Sequence, residues 1–459
     1  MTLMRTRLLR GAAAVTLLGG VASCIDFSGP GLDENPNAPS AASVSEVFTA
    51  FQGFQFANLT GDNNRVISVW MRHMAGTGRQ WLLYDAPYLN SENLFGSFSA
   101  FFTGGGLIDI RNVQAEARRA NDRVFLGIAQ VWEAFLVGTL ADYWGAIPYT
   151  EAVSDVLTPK YDSQRAVYTA VQALLDSAIT NLGAAGAGPG SLDLVYVGDK
   201  TKWVQAARTL KARYYLHVSR VDNAAFALAL SNAQQGISTK ANDWRTYQSA
   251  TEGEQNQWFQ FRRQRGTDIA AGKWLIDLMR GRSDPRLTSY FANAAGGTTI
   301  RGALPGEEDE TISWLGGTRA DPGFRQPLIT WAENQLIIAE VQARANNTTA
   351  ALAALNAVRQ DAGLAPVSGL TGNALLMAIL EEKYVSLFQN PEVWDIYKRT
   401  CYPNFPLSNG ASSIPLRLIY GFDENRSNRA NVPSPEPRRN EVNPVVTTAL
   451  DGSPCLGQR

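Results

Sequence analysis

The side chains that could carry chemistry in this chain are few. Two histidines, His73 and His217, stand far apart among 459 residues. No His-Glu-x-x-His, paired Cys-x-x-Cys or Asp-rich calcium loop accompanies them, so no zinc or other metal ligand set is expected. A Gly-x-Ser-x-Gly elbow and a phosphate-binding loop are also missing, and no cofactor is called for. His217 falls on an apolar helical face and reads as packed core. Glu307-Glu308-Asp309-Glu310 is the densest acidic cluster. Paired carboxylates can hydrolyse glycosides, but four adjacent acids in a loop are ordinarily a solvated face, and no catalytic residue is assigned. Aromatic residues offer more. Of 11 tryptophans, Trp132, Trp203, Trp331 and Trp394 follow helical spacing and read as core, whereas Trp81, Trp244, Trp258 and Trp314 fall where that spacing lapses. Flat rings stack on the apolar faces of sugars, while Arg, Asn and Gln satisfy hydroxyls. Arg79, Trp81, Tyr84, Tyr88, Asn90, Trp258 and Trp314 are therefore the candidate ligand-binding residues. The same rings could instead pin loops to the scaffold or pack against a partner protein.

At the N-terminus, Arg5, Arg7 and Arg10 precede an apolar run from Gly11 to Ser23. This pattern is a secretory signal, too short to remain as a membrane span. Val21-Ala22-Ser23-Cys24 resembles the lipobox of bacterial lipoproteins, which implies cleavage before Cys24 and acylation of that residue. Several acyl chains on one residue anchor stably where one chain binds only marginally. Removing residues 1–23 turns 41 basic and 42 acidic residues into 38 and 42, a net charge near −4. Such a chain has no basic stripe for nucleic acid. No second apolar stretch is expected to reach the roughly 20 residues of a span. In an oxidising compartment Cys401 and Cys455 could pair, or both could stay as thiols.

The elements that must position these residues are mainly helical. Ile25 to Ser40 holds three prolines, two glycines and two asparagines and reads as a flexible tether over 24–40. Ser43 or Ser45 opens a first helix. Apolar residues then recur at helical spacing from Leu107 to Asp142. Asp162 or Ser163 starts a helix that ends near Gly183, and Asp199 or Thr201 starts the next. A later pair turns at Asn346-Asn347 with Thr348 as its cap, and suits a TPR-like hairpin. Asn373 to Tyr397 is helical but interrupted at Pro391. Leu192 to Val197 is the best strand candidate. The fold expected is mainly α, one body over 41–459, with TPR-like helices at about 107–220 and 327–400. Long irregular excursions at about 60–106 and 231–321 would carry the ligand site.

Several segments, taken in order, resemble the SusD/RagB-like nutrient-binding outer-membrane lipoproteins. Val131 to Tyr149 looks like that family's helix ending in an Asp-x-x-Gly-x-x-Pro-Tyr turn, here Asp142 to Tyr149. Asp33-Glu34-Asn35-Pro36-Asn37, Gly198-Asp199-Lys200, Ser283-Asp284-Pro285-Arg286-Leu287, Leu328 to Glu340 and Glu381 to Arg399 resemble further family segments. The C-terminal part departs from it: Arg417-Leu418-Ile419-Tyr420 lacks the family's prolines. The resemblance implies a non-catalytic cell-surface lipoprotein that captures oligosaccharides, or peptides. Its implied partner is a SusC-like TonB-dependent transporter, on which it works as a lid at the outer membrane. A surface glycosidase and a TPR-like adaptor without a small ligand are the alternatives.

Overall fold

The computed structural model describes residues 43–85, 98–294, 296–307, 311–407 and 413–458. Cys24 and the 24–40 segment lie outside them, as do Tyr88, Asn90 and Glu308 to Glu310. Helix α1 (Val44–Thr60) starts directly after Ser43 and buries Phe48, Phe51, Phe56 and Leu59. Helix α2 (Asp62–Trp70), the short strand β1 (Met74–Gly76) and helix α3 (Gln80–Asp85) follow.

The apolar period that runs from Leu107 to Asp142 is broken once. Helix α4 (Leu107–Arg119) ends, Asn121 takes a left-handed φ of 55°, and Asp122 accepts the Phe125 N–H at 2.9 Å to open α5 (Arg123–Trp144). That three-residue turn folds α4 back onto α5. All of α5 except Arg123 is buried. By length and hydropathy α5 could cross a membrane, contrary to the expectation of no second such stretch, but its apolar window is wholly buried in protein. It is the central core helix. Ser163 caps α6 (Gln164–Leu182) through the Ala166 N–H, and Asp199 caps α7 (Lys200–Val218) through Thr201 and Lys202. Helix α8 (Ala225–Ala233) packs on α7. Gly138 lets α5 and α7 approach closely; a Cβ there would lie 2.2 Å from Tyr214 Cζ.

The expected strand at Leu192 to Val197 is instead a 3-10 turn (Gly190–Leu192) and further turns. The buried Asp193 carboxylate is the reason. It accepts the N–H groups of Val195, Tyr196 and Gly198 and the Trp203 indole N–H, at 2.7–3.3 Å. A backbone curled around one side chain cannot extend into a ladder.

The 231–321 excursion is less irregular than expected. It holds β2 (Trp244–Arg245), α9 (Gln257–Arg265), β3 (Ile269–Ala271), α10 (Lys273–Gly281) and α11 (Leu287–Tyr290). Strands β1 and β3 pair antiparallel, Met74 with Ala271 and Gly76 with Ile269; β2 pairs antiparallel with β4 (Pro327–Ile329). Helices α12 (Trp331–Arg344) and α13 (Thr348–Asp361) form the later hairpin. Asn347, not Thr348, caps α13. Helix α14 (Gly372–Ser386) packs on α12, and Pro391 sits just before α15 (Glu392–Thr400) rather than inside a helix, where its missing N–H costs nothing. A short α16 (Phe422–Ser427) follows. Helix is dominant and the sheets are small, as the sequence implies.

Buried charges join the helices. Glu340 on α12 meets Lys383 of α14 at 2.6 Å, Arg344 at 2.9 Å, and Arg399 of α15. Arg213 of α7 meets Glu333 of α12 at 2.6 Å. The residues after 413 wrap the Asp142 to Tyr149 turn: Leu418 N–H donates to the Tyr143 carbonyl at 2.7 Å, and Asn440 Nδ2 to the Asp142 carbonyl at 2.7 Å. Gly145 ends α5 with a φ of 78°, a conformation that suits glycine. The turn is structural.

Candidate functional site

The sequence candidates are brought together, but inward. Helix α9 carries Trp258 and Phe261 three residues apart, the only buried residues of that helix. Trp81 packs edge-on against Phe261 with centroids 5.2 Å apart, and against Tyr84 at the same distance. Trp258 donates its indole N–H to Asn64 Oδ1 at 3.2 Å and lies 6.1 Å from Trp314. Trp81, Tyr84, Trp258 and Trp314 are all buried, so the expectation that they present stacking faces is corrected. Their large apolar surface stabilises the excursion more by leaving water than by facing it. Trp244 likewise fills the main core, 4.6 Å from Trp132 and 4.8 Å from Trp203. Arg79 remains exposed, at left-handed φ, with Nε 3.6 Å from Asp268. Tyr88 and Asn90 lie outside the described residues.

A solvent-open apolar groove of about 570 Å³ forms elsewhere on the excursions. The β1–β3 pair supplies its floor through Met74 and Ala75, and Gly272 bridges to Ala303. Helix α10 buries Leu275, Ile276 and Met279, which leaves Trp274 off that stripe and 39% exposed. Its ring meets Phe405 at 5.7 Å, inclined at 66°. Tyr402, Phe405 and Leu407 form the facing wall. Cys401 and Cys455 are bonded, with Cα atoms 6.0 Å apart, which ties the start of that wall to the C-terminal segment. Arg72 lies over the Phe405 ring at 5.4 Å.

The groove continues into a polar stretch of about 310 Å³ that shares Lys273, Asp277 and Leu304. Arg280 reaches Asp277 at 3.2 Å and donates to the Ile300 carbonyl at 2.6 Å. Glu307 pairs with Arg301 and accepts the Leu304 N–H at 2.9 Å. Of the acidic cluster Glu307 to Glu310, only Glu307 is described, and it is tied to an arginine. The sequence reading missed Trp274; the signal available was a tryptophan between Lys273 and Asp277 and off the apolar stripe of its own helix.

The titratable cluster at the core is of another kind. Ligand atoms of Asp142, His217 and Asp395 lie within 4.8 Å of one another. Both ring nitrogens of His217 are engaged, Nδ1 by Asp142 at 2.7 Å and Nε2 by Glu392 at 3.0 Å. Lys398 Nζ stands 2.5 Å from Asp395. Burial alone would depress the imidazolium, but the charges of Asp142, Glu392 and Asp395 outweigh it and hold His217 up to about 10. The cluster is thus neutralised by its own cations, and a metal would have to displace them. His73, by contrast, is pushed down to about 3 by burial and donates from Nε2 to the Tyr384 carbonyl, 2.9 Å away.

A stack of helical hairpins that carries a solvent-open amphipathic groove defines the class of this protein. A family model described as "Starch-binding associating with outer membrane" matches residues 36–421. The chain belongs to that SusD-like family. No curated protein matches it by sequence. Among solved structures, a SusD/RagB family protein from Bacteroides thetaiotaomicron superposes with a TM-score of 0.72 at 20% identity, covering 90% of this chain and all (100%) of that one. A chitin-binding SusD homolog from Flavobacterium johnsoniae gives 0.72 at 19%, covering 88% and 99%. A further chitin-binding protein gives 0.73 at 21%, covering 85% and 95%.

Proposed function

We propose that this protein is a non-catalytic binding lipoprotein of the outer-membrane surface that captures oligosaccharides and passes them to a TonB-dependent transporter. The observation that carries this reading is the groove at Trp274: an exposed ring over an apolar floor, continued by a rim of Arg280, Arg301 and Glu307. A pyranose has the matching surfaces, an apolar face and a hydroxyl edge. The family description and the chitin-binding relatives support a glycan as the ligand. Acylated Cys24 and the 24–40 segment would tether the body beside the transporter, so that it swings as a lid.

Titration with chitin and starch oligosaccharides tests the ligand. Trp274→Ala should lower affinity about tenfold, or ~1.4 kcal/mol, with circular dichroism unchanged. Equal affinity in the two proteins would remove the groove from the reading, and release of shorter products from the glycan would end the non-catalytic one. Copurification in mild detergent tests the transporter: a large barrel should co-elute.

A further inference from the structure

A second cleft, about 400 Å³, opens beside Trp331 at the start of α12 and shares no lining residue with the Trp274 groove. Four cations line it, Lys240, Arg245, Arg286 and Arg319, against two carboxylates, Asp243 and Asp361. Three of the four cations are matched. Lys240 meets Asp361 at 2.9 Å, Arg245 meets Asp243 at 3.0 Å, and Arg286 is held by Asp284 at 2.6 Å and Glu382 at 2.8 Å. Arg319 is different. It is 92% buried, and among the described residues no carboxylate pairs with it. Its Nη1 donates to Gln389 Oε1 at 2.6 Å and more weakly to the Phe388 carbonyl at 3.4 Å. Around the guanidinium stand the rings of Tyr290 at 4.2 Å, Phe388 at 4.9 Å and Phe324 at 5.3 Å.

Rings and carbonyls stabilise a buried guanidinium without neutralising it. An arginine with no acid, on the wall of an open cleft, is a preformed receptor for one negative charge, and its planar fork suits a carboxylate. Ser289, Thr318 and Thr330 place hydroxyls on the same walls, and Trp331 adds a partly exposed ring. Hydroxyls and a ring beside one anion receptor match a sugar that carries a carboxylate. We propose that this cleft is a second ligand site, in which Arg319 takes the carboxylate of an acidic sugar. The assignment stands apart from the Trp274 groove and survives its failure.

Titration of the full chain with a galacturonate trimer, alone and in excess chitotriose, tests it. The acidic trimer should bind at a Kd of about 1 mM or tighter, weaken as salt screens the cleft, and not be displaced by the neutral sugar. Arg319→Gln should lower its affinity at least ~10-fold, the scale of one lost charge-assisted pair. Should that variant fail to fold, Lys240→Gln and Arg245→Gln at the exposed rim should each lower affinity about threefold through lost long-range attraction. No binding of the acidic trimer up to ~10 mM, displacement by chitotriose, or unchanged affinity in the folded variants would overturn the proposal.

Discussion

His217 gives the most demanding test of the core. In the folded chain it is an imidazolium between Asp142 and Glu392, with its pKa held up to about 10 against an ordinary 6.5. The folded state therefore keeps a proton that the unfolded chain releases near neutrality. Stability from this group is complete below pH ~6.5 and declines as pH rises, until the folded imidazolium itself titrates. Between pH 7.5 and 9.5 the slope is about −1.4 kcal/mol per pH unit, or roughly 3 kcal/mol across the window. The window starts above the Asp395 carboxyl, which burial and the Asp142 charge push up to about 7. Cys401 and Cys455 are bonded and do not titrate. The assay is urea unfolding at several pH values, for the native chain and for His217→Gln. Glutamine keeps a donor but no charge, so the variant should lose several kcal/mol at pH 7.5, and its own curve should be flatter above it. Subtracting the two curves cancels the titrations of groups that do not interact with His217, whereas Asp142 and Asp395 lose its lowering influence in the variant. Parallel curves would refute the argument, because they would mean that His217 is neutral when folded.

Two further outcomes follow from packing and from the covalent link. Gly138→Ala should cost about 1–3 kcal/mol, read from the denaturant midpoint, because the new methyl meets the buried Tyr214 ring at 2.2 Å and either helix must shift. Replacing both Cys401 and Cys455 by serine frees a loop with a sequence separation of 54 and should cost about 2–4 kcal/mol in urea. It should also weaken glycan titration, since Tyr402 and Phe405 of the groove follow Cys401 directly.

The scaffold was legible in the sequence where apolar periodicity and caps agree. Ser163 and Asp199 cap where their side chains were expected to, and the Asp142 to Tyr149 segment is the structural turn its Gly and Pro announce. The site was less legible for physical reasons. A tryptophan outside a helical stripe reads the same whether it faces a sugar or plugs a loop. Helix α9 hides its period because only Trp258 and Phe261 are buried among glutamines and arginines. Its rings therefore looked like loop aromatics. Leu192 to Val197 has strand-like residues, yet one buried carboxylate, Asp193, decides its path. The buried Arg319 could not be foreseen, since the rings that enclose it come from segments around 290, 324 and 388.

The apolar helix α5 has a consequence before the chain is folded. A polypeptide threaded through a translocation pore offers each hydrophobic segment to the lipid beside it, and this segment has the length and hydropathy to leave sideways. Glu133 stands at its midpoint and Asp142 near its end. A charged side chain at the centre of a span costs about 2.5–3.5 kcal/mol on insertion. In the finished protein Glu133 accepts from Arg111 at 3.0 Å and from Gln114, and Asp142 holds His217. Under the export proposed above, the two acids that fasten the core helix to its neighbours would also oppose its stopping in the wrong membrane on the way out.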